Sequence, residues 1–148
     1  MINNPTAKGK RTEAKILGEL VEAGKSVLIP WGEERYDLAL DEGGRLVRIQ
    51  CKTGILRDGC VDFKTCIMDI RRPLGDGGYH GQIEAFAVYC PQTRTTYLVP
   101  IEAVPGPTLA RLRIDPTRNG QLCGIRWARD YELTPERVAL LSGESIRI

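Results

Sequence analysis

The sequence predicts an α+β domain: one long amphipathic helix, then a series of mostly antiparallel short strands, then a short final helix. Three observations carry this expectation. Apolar residues recur at helical spacing through Ile16, Leu17, Leu20 and Val21. Short apolar or alternating runs follow, each bounded by Gly, Pro or Asp, as half-buried strands are. Finally, Thr134-Pro135-Glu136 has the form of a helix start, because Thr is a good N-cap and Pro is favoured at the first helical position. Helix, strands and helix in that order make an α+β fold, or a mixed α/β sandwich around one central sheet.

The elements are expected in this order. A helix spans about Lys8 to Ala23, and Gly24 is a natural stop. Ser26 to Pro30 and Tyr36 to Asp41 are the first two strands. The turn Asp41-Glu42-Gly43-Gly44 leads directly into a third, Arg45 to Lys52, and so short a link makes a hairpin. Cys60 to Met68 is a fourth strand. Arg71 to Gly81 is too rich in Gly and Pro for regular structure and is expected to be a loop. Ile83 to Cys90, Thr96 to Pro100 and Leu109 to Ile114 complete the strands.

The chain has 148 residues, the size of one domain spanning 1–148. With 42% apolar residues it has enough to build a core, which excludes a disordered tail. No run approaches the ~18 apolar residues that a membrane span needs, and the first residues lack the apolar stretch of a secretory signal. The expected location is therefore the cytoplasm, with no membrane partner. The net charge is only +2, but the cations are 15 Arg and 6 Lys, and the arginine fork suits phosphate oxygens. Base composition or surface ion pairs would explain the same excess. The five cysteines, Cys51, Cys60, Cys66, Cys90 and Cys123, show no zinc-knuckle spacing and are read as small apolar residues.

Four polar residues do not fit a plain core. At about 100° per residue, Glu13 falls between Ile16 and Leu20 on one side and Leu17 and Val21 on the other. A carboxylate there is costly unless it is paired, binds a metal or reaches water at a frayed helix start. Alternation along the third strand puts Val47, Ile49 and Cys51 on an apolar face. Leu46, Arg48, Gln50 and Lys52 take the other, as a metal site or a solvated strand surface would. Asp37 opens the strand that pairs with this one. A hard divalent ion is held by oxygen ligands, and Asp37, Gln50 and the Cys51 backbone carbonyl supply them. Glu13 would add a further carboxylate, through a water or a second ion. Lys52 supplies a cation for phosphate charge or for a water proton.

The arrangement Glu13 … Tyr36-Asp37-Leu38 … Ile49-Gln50-Cys51-Lys52 resembles the PD-(D/E)XK nuclease superfamily. The intervals, 24 residues from Glu13 to Asp37 and 13 from Asp37 to Gln50, resemble those of archaeal-type Holliday junction resolvases. A fuller match is to the group I intron-associated PD-(D/E)XK homing endonucleases. It includes Gln50 in place of the usual acid, and extends through Tyr97-Leu98-Val99-Pro100, Leu112-Arg113-Ile114 and Ile125-Arg126-Trp127-Ala128.

The resemblance implies a restriction-endonuclease-like central mixed sheet flanked by helices. It also implies Mg2+ or Mn2+ as cofactor, and Glu13, Asp37, Gln50 and Lys52 as catalytic residues. The partner is then DNA, either a four-way junction or a duplex, and the assembly a homodimer, with a tetramer as the alternative. Candidate DNA contacts are Lys8, Lys10 and Arg11 at the helix start, and Arg71, Arg72, Tyr79 and His80 in the Gly-rich segment. Tyr79 is placed there to stack on an unpaired base. The spacing and the small size of the chain favour a junction resolvase. A site-specific homing enzyme and a catalytically decayed DNA-binding module are the alternatives, the last because Gln50 leaves the site one charge short.

Overall fold

The computed structural model describes residues 5–66, 78–104, 106 and 108–143. Helix α1 runs Pro5–Glu22, three residues earlier than expected at its start. It ends in a Schellman motif: Gly24 N–H donates to Val21 O and Lys25 N–H to Leu20 O, with Gly24 at φ 81°. Strands β1 (Val27–Leu28), β2 (Leu38–Glu42) and β3 (Arg45–Thr53) follow. The expected hairpin joins β2 to β3, with Gly43 and Gly44 both at positive φ and Gly44 N–H bound to Asp41 Oδ1 at 2.9 Å.

The chain then makes β4 (Ile55–Arg57), β5 (Cys60–Lys64), β6 (Ala85–Cys90), β7 (Thr95–Pro100) and β8 (Leu109–Arg113). Short 3-10 turns occupy Ile101–Ala103 and Ala128–Tyr131. The last helix, α2, is Pro135–Leu140, and its N-cap Thr134 accepts from Arg137 N–H at 3.1 Å, as the sequence predicts. None of the helices among the described residues is long and apolar enough to cross a membrane.

The strands form two sheets where the sequence suggested one. The larger has the order β1-β2-β3-β6-β7, the smaller β4-β5-β8. All pairs are antiparallel except β3 with β6, so the main sheet is mixed. One face of that sheet packs under the helices, where Ile16 and Leu20 of α1 and Val138 of α2 meet Leu38, Leu40, Val47, Ile49 and Ala87. Its other face, with Phe86, Val88 and Val99, packs on Val61, Phe63, Ala110 and Leu112 of the smaller sheet. The result is three layers: helices, five strands, three strands.

Strand β4 escapes a sequence reading because it is only three residues long and is separated from β3 by a single residue. Gly54 makes the switch between sheets. A Cβ at this position would lie 2.7 Å from Val61 Cγ1 and 3.0 Å from Val88 Cγ1, so no side chain fits. Strand β5 ends at Lys64, short of the expected Met68, which lies outside the described residues. Most of the expected loop, Arg71 to Gly77, also lies outside them.

Candidate active site

The site forms where β2 leaves β3. Pairing stops at Leu38 opposite Ile49, while β3 continues to Thr53 with β6 on its other side alone. Asp37 therefore lies just outside the strand it was expected to open. Its backbone N–H still donates to Ile49 O at 2.9 Å, and its Oδ2 accepts from Cys51 N–H at 2.9 Å. The carboxylate thus takes the place of the missing neighbour strand. Within an antiparallel ladder a residue turns its N–H and C=O to the same side, so the Cys51 carbonyl also faces this open edge.

Glu13 arrives from the helix layer. It sits at the margin of the buried arc rather than in its middle: Thr12, Ile16 and Leu20 are the buried positions, and Val21 is 56% exposed. The Glu13 side chain is 32% exposed and pairs with Lys10 Nζ at 3.4 Å. Thr12 and Thr53 fix the helix here through a 2.7 Å hydrogen bond between their hydroxyls. Sequence reasoning missed this pair, although a Thr beside the apolar arc one residue from Glu13 was a usable signal.

Gln50 and Lys52 project from the other face of β3, and both are half-buried. Gln50 makes no side-chain hydrogen bond among the described residues, so its amide oxygen is available. Lys52 Nζ donates to Cys66 O at 3.5 Å and lies 5.3 Å from the centre of the Tyr79 ring. Burial lowers the Lys52 pKa from the usual lysine value, while Cys66 and Asp37 act against that shift. Burial raises the Asp37 pKa and Glu13 adds to it, against the Cys51 N–H, Lys52 and Lys10. Burial, with Asp37 and Glu13, pushes the Cys51 thiol well up, which keeps it an inert apolar group. Glu13, Asp37 and Lys52 therefore share one electrostatic neighbourhood.

The expected DNA contacts divide. Lys8, Lys10 and Arg11 are exposed on the first turns of α1, at the same end as Glu13, and His80 is exposed too. Arg71 and Arg72 lie outside the described residues. Tyr79 does not fit the role expected of it. It is 6% exposed, edge-on to Phe86 with ring centres 5.4 Å apart, and its face is turned to Lys52. No base can stack on it there; it forms a wall of the lysine pocket instead. Burial, with the charge of Asp37, pushes its phenol up to about 12, so the hydroxyl stays protonated. Arg35, also missed, has a buried Nη2 with no hydrogen-bond partner among the described residues.

No disulfide links the five cysteines; Cys51, Cys60 and Cys90 are buried as expected, but Cys66 is half-buried and Cys123 exposed. Among the described residues, no three His, Cys, Asp or Glu side chains gather closely enough to form a metal cage. The donors at the β3 edge are instead Asp37, the Gln50 amide and the Cys51 carbonyl, with Glu13 alongside. These are hard oxygens, and Mg2+ is commonly held by one or two carboxylates while it keeps waters and takes substrate phosphates. The donor set fits such an ion. Burial raises the Asp37 pKa and Glu13 adds to it, and a nearby cation would oppose both.

The fold belongs to a known class of enzymes. The chain is a member of the PD-(D/E)XK endonuclease family, whose family model matches residues 3–134. No curated protein sequence matches it. Among solved structures, it is similar to the bacterial homing endonuclease I-Ssp6803I, with 17% identity, 96% of each chain covered and a TM-score of 0.69. It is also similar to Archaeoglobus fulgidus Hjc, a Holliday junction resolvase from an archaeal hyperthermophile. There the identity is 16%, with 95% of this chain and 99% of that chain covered and a TM-score of 0.51.

Proposed function

We propose that the chain is a single-domain, divalent-metal-dependent endodeoxyribonuclease that cuts duplex DNA at a preferred sequence. The observation that carries the catalytic part is the open β3 edge, where Asp37 and the Cys51 carbonyl lie between Glu13 on one face and Gln50 and Lys52 on the other. Asp37, Gln50 and the Cys51 carbonyl would hold Mg2+ or Mn2+, with Glu13 contributing through a water or a second ion. When bound, the ion supplies charge to the scissile phosphate and lowers the pKa of water. Asp37 is kept in position by the Cys51 N–H. Lys52 faces phosphate charge as an ammonium and, because burial favours its neutral form, can take a water proton on Nζ. Tyr79 closes one side of its pocket and excludes solvent.

The substrate preference departs from the sequence expectation, which put a four-way junction first. That expectation rested on the spacing of the site residues and the small size of the chain. Two observations favour the duplex: the domain carries a second sheet, β4-β5-β8, beside the site, and the greater likeness is to a homing endonuclease. A junction resolvase is the second reading, supported by the spacing of the site and the likeness to Hjc. Either activity acts on two strands from one site per chain, so a two-fold homodimer is part of the proposal.

The test compares wild type with Asp37→Asn and Lys52→Ala on a linear duplex library, a mobile four-way junction and a flap, with Mg2+ or Mn2+. Wild type is expected to cut the duplex library at a restricted set of sequences. Each variant should lose at least ~100-fold in cleavage rate, about 2.7 kcal/mol of barrier, while keeping DNA binding. Cleavage at near wild-type rate by either variant would mean that the site lies elsewhere. Cutting of the junction alone would establish the resolvase.

A further inference from the structure

The outer face of the β4-β5-β8 sheet carries an arrangement that catalysis does not use. Val61, Phe63, Ala110 and Leu112 point inward to the core. By alternation, Ile55, Arg57, Cys60, Asp62, Lys64, Leu109, Arg111 and Arg113 occupy the other face. That face holds four cations against one carboxylate, in a chain whose total charge is only +2.

The carboxylate is committed. Asp62 stands directly opposite Arg111 in the sheet and is 6% exposed, and it binds that guanidinium through two parallel bonds, Nε to Oδ1 at 2.7 Å and Nη2 to Oδ2 at 2.9 Å. Two of the five guanidinium N–H groups are thereby used and the fork is fixed in orientation. The Arg111 side chain is still 51% exposed, so both hydrogens on Nη1 and one on Nη2 remain for a ligand.

Around it, Arg57, Lys64 and Arg118 are exposed and make no ion pair among the described residues. Arg118 lines a groove with Arg111, Arg113 and Gln121, which also contains the carboxylates of Asp58 and Asp115. The exposed cations outside it are Arg57 and Lys64. Arg113 is occupied differently: its guanidinium binds Asp115 O and Pro116 O, holding the wall of the groove.

The position of this sheet matters as much as its charge. Its open end abuts the catalytic lysine on both strands. Strand β4 starts three residues after Lys52, and Cys66, two residues past β5, accepts from Lys52 Nζ. The hairpin tip, Asp58-Gly59, with φ of 51° and 72°, points away along the strands. The antiparallel pair β5-β8 carries Asp62, Lys64 and Arg111. A two-stranded β-ribbon is one of the shapes that the major groove admits, and an arginine fork bound to guanine O6 and N7 is its commonest specific contact.

We propose that the outer face of the β4-β5-β8 sheet reads duplex DNA in the major groove, with Arg111, aimed by Asp62, contacting a guanine. The proposal rests on the nuclease reading and adds to it the surface that selects sequence. Arg57, Lys64 and Arg118 grip phosphates. The backbone path from Cys66 to Asp62, and one strand spacing to Arg111, measures about 18 Å. At 3.4 Å per base pair, the guanine lies within roughly five base pairs of the cut.

The experiment selects bound molecules from a pool of duplexes with a randomised core, and separately maps cutting of the same pool with Mg2+. Wild type is expected to enrich a guanine within about five base pairs of the mapped cut. The double variant Asp62→Asn/Arg111→Gln, which leaves no unpaired buried charge, should lower that preference by about 5- to 150-fold. Arg111→Lys, which keeps a cation over Asp62 without the fork, is the second variant and should lose most of the same preference.

A triple variant, Arg57→Ala/Lys64→Ala/Arg118→Ala, should bind all sequences more weakly. It should reduce the slope of log affinity against log salt by about 3 and keep the guanine. The proposal is overturned if the enriched guanine survives in both Arg111 variants, or if wild type binds the pool without base preference. Cutting of the pool in either case leaves the nuclease reading standing. An intact guanine preference with no cutting under Mg2+ or Mn2+ would instead remove the nuclease reading and keep this surface.

Discussion

At the scale of single residues, the site is unusual in its charge. Asp37 and Glu13 bring two negative charges, and Lys52 and Lys10 lie close enough to act on Asp37. Gln50 adds an oxygen without a charge. Gln50→Glu is therefore expected to strengthen cation binding, since it adds a third carboxylate and leaves the β3 ladder intact. The Mg2+ concentration giving half-maximal cleavage should fall about tenfold, a shift of about 1.4 kcal/mol. Titrating Mg2+ against cleavage rate checks this, and an unchanged midpoint would place Gln50 away from the ion. These four residues stood out in the sequence because each broke a local pattern: a carboxylate set against a helical apolar arc, an acid at an expected strand opening, an amide and an ammonium on one strand face. In the structure Glu13 lies at the margin of that arc and Asp37 just outside β2. The sheet-edge hydrogen bond from Cys51 N–H to Asp37 was not legible, because it depends on where β2 stops. Tyr79 was misread for a related reason. Its glycine-rich neighbourhood suggests exposure, and only the packed position of Phe86, distant from the loop's own pattern, shows that the ring is enclosed.

At the scale of elements, local signals and long-range pairing were not equally readable. The α1 stop at Gly24, the β2–β3 turn and the Thr134 cap are local, and residue chemistry placed each of them. The parallel pairing of β3 with β6 joins Ile49 to Ala85 across the intervening second hairpin, and no local periodicity encodes that register. The second sheet was hidden in the same way, since its third strand, β8, is far along the chain. Gly54 is the residue on which the switch between sheets depends. Its neighbours Val61 and Val88 are fully buried and β-branched, so neither can swing aside. Gly54→Ala is expected to cost about 1–3 kcal/mol of stability through overpacking. Denaturant unfolding measures it, and the double variant Gly54→Ala/Val61→Ala should lose less than the sum of the two single losses, because the new methyl fills space that Val61→Ala opens. No loss in the single variant would mean that the two sheets separate easily at this point, and that Lys52 is not held by the packing behind it.

At the scale of the whole molecule, the proposed cleavage of a duplex raises the question of how one site per chain would serve two strands. The five-stranded sheet ends at β1, an edge strand of two residues. Beside it, Leu28 is 46% and Ile29 68% exposed, and Trp31 is fully exposed. Exposed apolar residues are ordinary singly, but a cluster next to an open sheet edge offers backbone pairing and apolar burial to the same partner. A second copy of the chain across a two-fold axis would use the same patch on both sides, as a closed dimer does. Tryptophan is among the residues that contribute most to such contacts, and removing one typically costs 2 kcal/mol or more of association, about 30-fold in Kd. Trp31→Glu adds like-charge repulsion across the axis. The variant is therefore expected to sediment as a monomer at concentrations where wild type is a dimer, with its thermal stability otherwise close to wild type. On a supercoiled plasmid carrying a cleavable site it should accumulate nicked circles, because each monomer cuts one strand, where wild type gives linear product. A monomeric wild type would remove the homodimer from the proposal, and a Trp31→Glu variant that remains a dimer and still linearises the plasmid would place the two-fold contact on another surface.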